Sequence, residues 1–165
     1  MKEITRVLKN RIMIGAATLT AAAVPFAGMA LSATPAGAKA PKGITCTAGT
    51  GSGKVAKLSA TIKLTGCSGT TGKSGTTTGK EGAATGTIKW ANGKATTFTE
   101  NQGTGTACPT TAADDELITG NVTADNTKST AVGAAVSGEF CVTINKAGTK
   151  FTLKMAPGTK FTIAA

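Results

Sequence analysis

The chain has 165 residues, 18 Lys and Arg against eight Asp and Glu, a formal net charge of +10, no histidine, no tyrosine and one tryptophan. Without histidine the usual general base is missing, so neither a Ser-His-Asp nor a Cys-His hydrolase can be assembled, and zinc loses its nitrogen ligand. The length suits one domain of ordinary size.

Residues 1–38 read as a cleaved secretory signal. Lys2, Arg6, Lys9 and Arg11 against Glu3 make a basic start, Ile12 to Leu31 is apolar, and Ala36-Gly37-Ala38 supplies the small-x-small pattern that signal peptidase reads. The apolar stretch is long enough to span a bilayer, but Ala, Thr and Gly dominate it and Pro25 interrupts its helix, so no stable membrane span is expected after cleavage. The mature chain is expected to begin at Lys39 and to hold 127 residues. Cleavage removes both arginines and leaves 14 lysines against seven acids, a net charge of +7. Thr (28) and Gly (19) dominate the mature part, and that pairing favours exposed strands and tight turns over helices. The expected fold is all-β: an antiparallel meander forming a small sandwich or barrel, one domain over residues 39–165.

Ile44 to Thr47 can pair as a strand carrying Cys46. The next stretch, Ala48-Gly49-Thr50-Gly51-Ser52-Gly53-Lys54, has the look of a phosphate-binding loop, but Ala48 stands where the first glycine belongs and Val55 where a Ser or Thr should hold magnesium; it reads as a turn. Lys57 to Thr65 alternates, with Leu58, Ala60, Ile62 and Leu64 on one face and Lys57, Ser59, Thr61 and Lys63 on the other, the pattern of a half-buried strand. From Gly66 to Gly86 no large apolar residue occurs, which predicts a surface loop tethered by Cys67.

Thr87 to Phe98 is a hairpin, with Asn92-Gly93 predicted as a two-residue type I′ turn. Lys89 and Lys94 are expected to flank it on paired strands, and Trp90 to fill the core. Asp114-Asp115-Glu116 is expected in a short helical turn or loop. Leu117 to Ala124 reads as a strand, residues 125–128 as a turn, and Val132, Ala134 and Val136 as the inner face of the next strand, which Gly138 kinks or ends. Phe140, Val142 and Ile144, then Phe151, Leu153 and Met155, then Phe161 and Ile163 complete the series, with turns at Asn145 to Gly148 and at Pro157-Gly158.

Cys46, Cys67, Cys108 and Cys141 all lie beyond the signal, where an oxidising compartment favours disulfides. Of three connectivities, Cys46 with Cys67 and Cys108 with Cys141 is favoured, because each pair then clips neighbouring strands of a sequential sheet. No CxxC spacing points to a metal site, and no metal or cofactor is expected. Thr65-Gly66-Cys67, the Trp90-x-Asn92-Gly93 hairpin and Val136-Ser137-Gly138-Glu139-Phe140, behind an Ala-rich signal, together resemble the small secreted Thr/Gly-rich β-proteins of high-GC Gram-positive bacteria. That resemblance implies fold class and compartment, and no catalytic residue.

The seven acids of the mature part, Glu81, Glu100, Asp114, Asp115, Glu116, Asp125 and Glu139, could in principle supply a carboxylate pair for sugar chemistry or, at Asp114 to Glu116, calcium ligands; they read instead as solvated surface. The lysine excess is the one feature with a partner written into it. Lys57, Lys63, Lys89 and Lys94 are the candidate contacts for a polyanion, with anionic cell-wall polymers or another envelope component as the expected partner. Nucleic acid is not expected, since no arginine remains for bidentate contacts. A plainer role for the lysines is to blunt exposed strand edges. The expectation is a secreted, non-enzymatic protein acting at or outside the cell envelope through a lysine-rich surface. The alternative is a carrier of a small apolar ligand held within the sandwich or barrel.

Overall fold

The structure, a computed structural model, describes residues 40–69 and 72–165. The signal segment and the cleavage point before Lys39 lie outside the described residues. Pro41–Ala165 form one compact unit of eleven strands: β1 (Ile44–Cys46), β2 (Ala48–Lys54), β3 (Ser59–Thr65), β4 (Ser74–Lys80), β5 (Thr85–Trp90), β6 (Ala95–Thr99), β7 (Asn101–Thr104), β8 (Asp114–Asp125), β9 (Ala135–Ile144), β10 (Lys150–Met155) and β11 (Phe161–Ile163), with a single 3-10 turn at Val55–Lys57.

β2 to β6 pair antiparallel in chain order, β6 pairs β8, β8 pairs β9, β9 pairs β10, and β10 returns to β2, so that these eight strands close an antiparallel barrel. Closure leaves no free edge on those eight. The three remaining strands prolong the wall. β11 pairs β9 beside β10, β1 pairs β11, and β7 pairs β8 beside β6, so Thr47, Glu100 and the turn after Met155 are breaks in three otherwise continuous strands. Both disulfides adopt the favoured pairing: Cys46–Cys67 ties β1 to the segment after β3, and Cys108–Cys141 ties the loop after β7 to β9.

Alternation decides which side chains enter the barrel. Ile62 and Leu64 of β3, Ile88 and Trp90 of β5, Phe98 of β6, Ile118 and Val122 of β8, Val136, Phe140 and Val142 of β9, and Leu153 and Met155 of β10 are all buried. The matching inward positions of β2 and β4 are glycines, except for Thr77 opposite Ile62 and Ile88. A Cβ on Gly49 would lie 2.8 Å from the Phe140 ring, and one on Gly75 would lie 2.6 Å from the Trp90 ring; the Phe151 and Phe98 rings close in the same way on Gly53 and Gly86. Large rings on one strand thus fill the space that glycines leave on the next, which brings a small barrel to close packing.

Those glycines explain where the sequence pattern misleads. Ala48 to Lys54, expected as a turn, is β2, because Gly49, Gly51 and Gly53 take the inward positions and leave no apolar alternation to see. Gly66 to Gly86, expected as a loop, contains the whole of β4 and the start of β5 for the same reason. Asp114, Asp115 and Glu116 open β8 and are not helical. Leu58 caps the 3-10 turn in the left-handed region (φ 47), so Lys57 precedes β3 and does not share its face with Lys63. Val132 is 72% exposed in the loop between β8 and β9, and Gly138 continues β9, with the Phe161 ring lying against it.

The hairpin at Trp90 exists, with a different turn. Gly93 N–H donates to Trp90 O (3.0 Å) and Trp90 N–H donates to Lys94 O (2.8 Å), with Gly93 at φ 80 and Asn92 outside the positive-φ region. This is the three-residue loop that ends in a left-handed glycine, and Lys94 closes it, just ahead of β6. Trp90 is buried, and its indole N–H donates to Thr96 Oγ1 (2.9 Å), whose hydroxyl donates to Asp125 Oδ1 (2.6 Å).

Candidate functional site

Outside the barrel the same alternation presents lysines and hydroxyls, and the strand registers set them in rows. Lys154 stands opposite Thr50, Thr50 opposite Lys63, Lys63 opposite Thr76 and Thr76 opposite Lys89, across β10, β2, β3, β4 and β5. All five side chains are exposed. Neighbouring strands lie about 4.8 Å apart, so the lysines of this row recur at about 10 Å with a threonine midway between each pair.

Two residues along the strands comes a row of hydroxyls, Thr152, Ser52, Thr61 and Thr78. Two further along is a second basic row, Lys150, Lys54, Ser59 and Lys80. The two basic rows are about 13 Å apart. No Asp or Glu occurs anywhere in β2, β3, β4, β5 or β10, so six lysines share a continuous wall that carries no acid.

Of the four lysines expected to meet a polyanion, the structure brings Lys63 and Lys89 into one row, two strands apart. Lys57, in the 3-10 turn, and Lys94, just after the hairpin loop, are exposed but stand outside both rows. Lys54, Lys80, Lys150 and Lys154 complete the face and were not singled out in the sequence, because what unites them is register across strands.

The acids gather elsewhere. On the β8–β9 side, Glu139 Oε1 accepts the backbone N–H groups of Thr106 and Ala107 (both 2.6 Å), and Asp115 Oδ2 accepts that of Cys108 (2.8 Å). The N–H donors hold Glu139 below the ordinary glutamate value, while burial and the neighbouring Glu139 charge hold Asp115 above the ordinary aspartate value. This pair fastens the loop after β7, beside the Cys108–Cys141 bridge. Asp125, accepting from Thr96 and Thr127, pins the end of β8.

Glu100 and Glu116 are the unusual acids. Glu100 sits at the break between β6 and β7 and is buried; its Oε1 accepts from Gln102 Nε2 (2.9 Å), whose Oε1 in turn accepts the Gly82 N–H (3.2 Å). Burial raises its carboxyl above the ordinary value. Glu116, on β8 opposite Thr104 and Phe140, is pushed up to about 7 by burial, with the charges of Glu100, Asp114 and Glu81 adding to the effect. Among the described residues no three His, Cys, Asp or Glu side chains are gathered as a metal-ligand set.

The chemistry this geometry offers is electrostatic. Ammonium groups at regular spacing, interleaved with hydroxyl donors, attract anions, while six of the seven acids among the described residues stand on β8 or β9 or in the barrel and Glu81 lies exposed in the turn after β4, next to Lys80. No protein-family model, curated protein or solved structure matches the chain, so this reading rests on its own residues.

Proposed function

We propose that the protein is secreted and acts without catalysis at or outside the cell envelope, by binding anionic polymers on the wall formed by β10, β2, β3, β4 and β5. The observation that carries the reading is the segregation of charge: six lysines on five strands that hold no acid, with the carboxyls on the β8–β9 side or buried except for Glu81 in the turn after β4. Two formed disulfides suit an oxidising, extracytoplasmic compartment. The competing role, a carrier of a small apolar ligand, has less support, because the Phe140, Phe151, Trp90 and Phe98 rings occupy the space over Gly49, Gly53, Gly75 and Gly86.

The test is retention of the mature protein on isolated envelope material and on polyanion-coated beads, eluted with rising salt. Charge-driven binding weakens linearly in log K against log salt as counterions are released, so retention at low salt and release at moderate salt are expected. Failure to bind at low salt, or binding indifferent to salt, would overturn the proposal.

A further inference from the structure

We propose that the row Lys154–Thr50–Lys63–Thr76–Lys89 is a track for one linear, flexible, phosphate-bearing polymer that crosses the strands and follows the curve of the barrel. The proposal rests on the polyanion reading above and adds to it a path, a shape and a chemical class of ligand.

The path follows from register. The three lysines occupy alternate strands along one hydrogen-bonded line, so a chain lying across the strands meets an ammonium, then a hydroxyl, then an ammonium, over about 19 Å from Lys154 to Lys89. A chain lying along the strands meets no such series: the lysines of the two basic rows are separated by the hydroxyl row of Thr152, Ser52, Thr61 and Thr78. The second basic row is no equivalent track, since Lys150 and Lys54 stand directly opposite each other and like charges so placed repel.

Shape follows from closure. The row crosses five of the eight barrel strands, so its side chains splay round the wall. A flat anionic surface touches only part of such an arc, and a stiff duplex cannot follow it. A flexible chain can.

The chemical class follows from the donors. Lysine binds as a point charge with three N–H groups and lacks the planar fork with which arginine matches carboxylates and phosphates alike, so the choice between those anions rests on the hydroxyls. Thr50 and Thr76 between the lysines add hydroxyl donors of the kind that commonly contact phosphate oxygens. A phosphate carries several exposed oxygens at one centre and can take an ammonium and the adjacent hydroxyl together. Beyond Lys154 the row continues through Cys141 to Asp115, a carboxyl that marks the end of the track on that side.

The experiment is calorimetric titration of the mature protein with inorganic polyphosphate of graded length, with monomeric phosphate, and with polyglutamate of matched charge. Three forms are compared: wild type, a track variant (Lys63→Thr, Lys89→Thr, Lys154→Thr) and an equal-charge control (Lys42→Thr, Lys146→Thr, Lys160→Thr). All six side chains are exposed, so both variants are expected to keep the wild-type melting curve. Long polyphosphate should bind, and monomeric phosphate should not. The track variant should lose about tenfold or more in affinity and about 2 in the slope of log K against log salt, as expected for three lost phosphate contacts on a single strand; the control should change affinity by less than about threefold. Equal losses in the two variants would overturn the track while leaving polyanion binding intact. Polyglutamate binding as tightly as polyphosphate would overturn the phosphate assignment. Binding to none of the polyanions would overturn the underlying reading as well.

Discussion

At Gly75 the barrel wall has no room for a methyl group. A Cβ there would lie 2.6 Å from Trp90 Cε3 and 2.7 Å from Ile88 Cγ2, and the Trp90 indole is held in place by its bond to Thr96, so it cannot swing away without leaving buried polar groups unpaired. Gly75→Ala is therefore expected to destabilise the fold by about 1–3 kcal/mol, the usual cost of overpacking. Gly103, on β7, has nothing within 4 Å of the corresponding position and no positive φ. Gly103→Ala should be neutral, or stabilising by a few tenths up to about 1 kcal/mol through the unfolded chain. Urea unfolding midpoints of the two variants check both: equal shifts would mean that the Trp90 contact does not limit packing. The same comparison explains a composition that looks too poor in strong hydrophobes for a core. Each ring sits on a glycine, so one aromatic side chain closes the space of two positions.

At the scale of the element, the break between β6 and β7 turns Glu100 into the barrel and sets its charge against Glu116 on β8. Glu116 has a native pKa of about 7 against an ordinary 4.5, so between those values the folded protein binds more protons than the unfolded chain. Stability must then fall as pH rises from about 4.5 to about 7, by at most about 3 kcal/mol for this group. Below 4.5 the penalty is absent; above 7 it is complete. Glu116→Gln should flatten much of that slope in pH-dependent melting, while the opposite acid-side loss expected from the lowered Asp125 and Glu139 should persist. An unchanged slope would mean that Glu116 is solvated. These elements also show how far the sequence could be read. β3, the Trp90 hairpin, β9 and β10 announced themselves because apolar residues take their inward positions. β2 and β4 did not, because Gly49, Gly51, Gly53, Gly75, Thr77 and Gly79 hold theirs, and the rings that pack on Gly49, Gly53 and Gly75 lie on other strands. Asp114 to Glu116 point to a short helical turn or loop because acids are rare in strands; here they open β8 and Glu116 is half-buried. Lys63 and Lys89 were visible as outward lysines, yet their common row with Lys154 is a property of register, which no single segment carries. Lys57 and Lys94 stand just outside the strands that the alternation predicts for them, through the left-handed Leu58 and the three-residue loop at Gly93.

For the molecule as a whole, every barrel ladder but one joins strands that follow each other closely along the chain. The exception is β10 with β2, whose partners are about a hundred residues apart. It completes the wall on which Lys154 meets Thr50, so the lysine row exists only once the barrel has closed. A chain lacking that ladder would keep Lys63 and Lys89 in register and lose the third member of the row, which ties the proposed anion track to complete folding. The pairing of β1 with β11 carries this adjacency to the ends of the barrel segment: Ala165 N lies 3.2 Å from the point where a Cβ would stand on Gly43. The order in which the strands are synthesised is therefore not essential to the barrel. A circular permutant, with Ala165 joined to Ala40 by a short Gly-Ser link and reopened between Lys146 and Ala147 in the exposed turn after β9, turns β10 with β2 into a near neighbour pair and makes β9 with β10 the distant one. It is expected to form the same two disulfides, mapped by peptide mass, and to bind polyanions as the parent does. The seam of the barrel would simply have moved to the next strand.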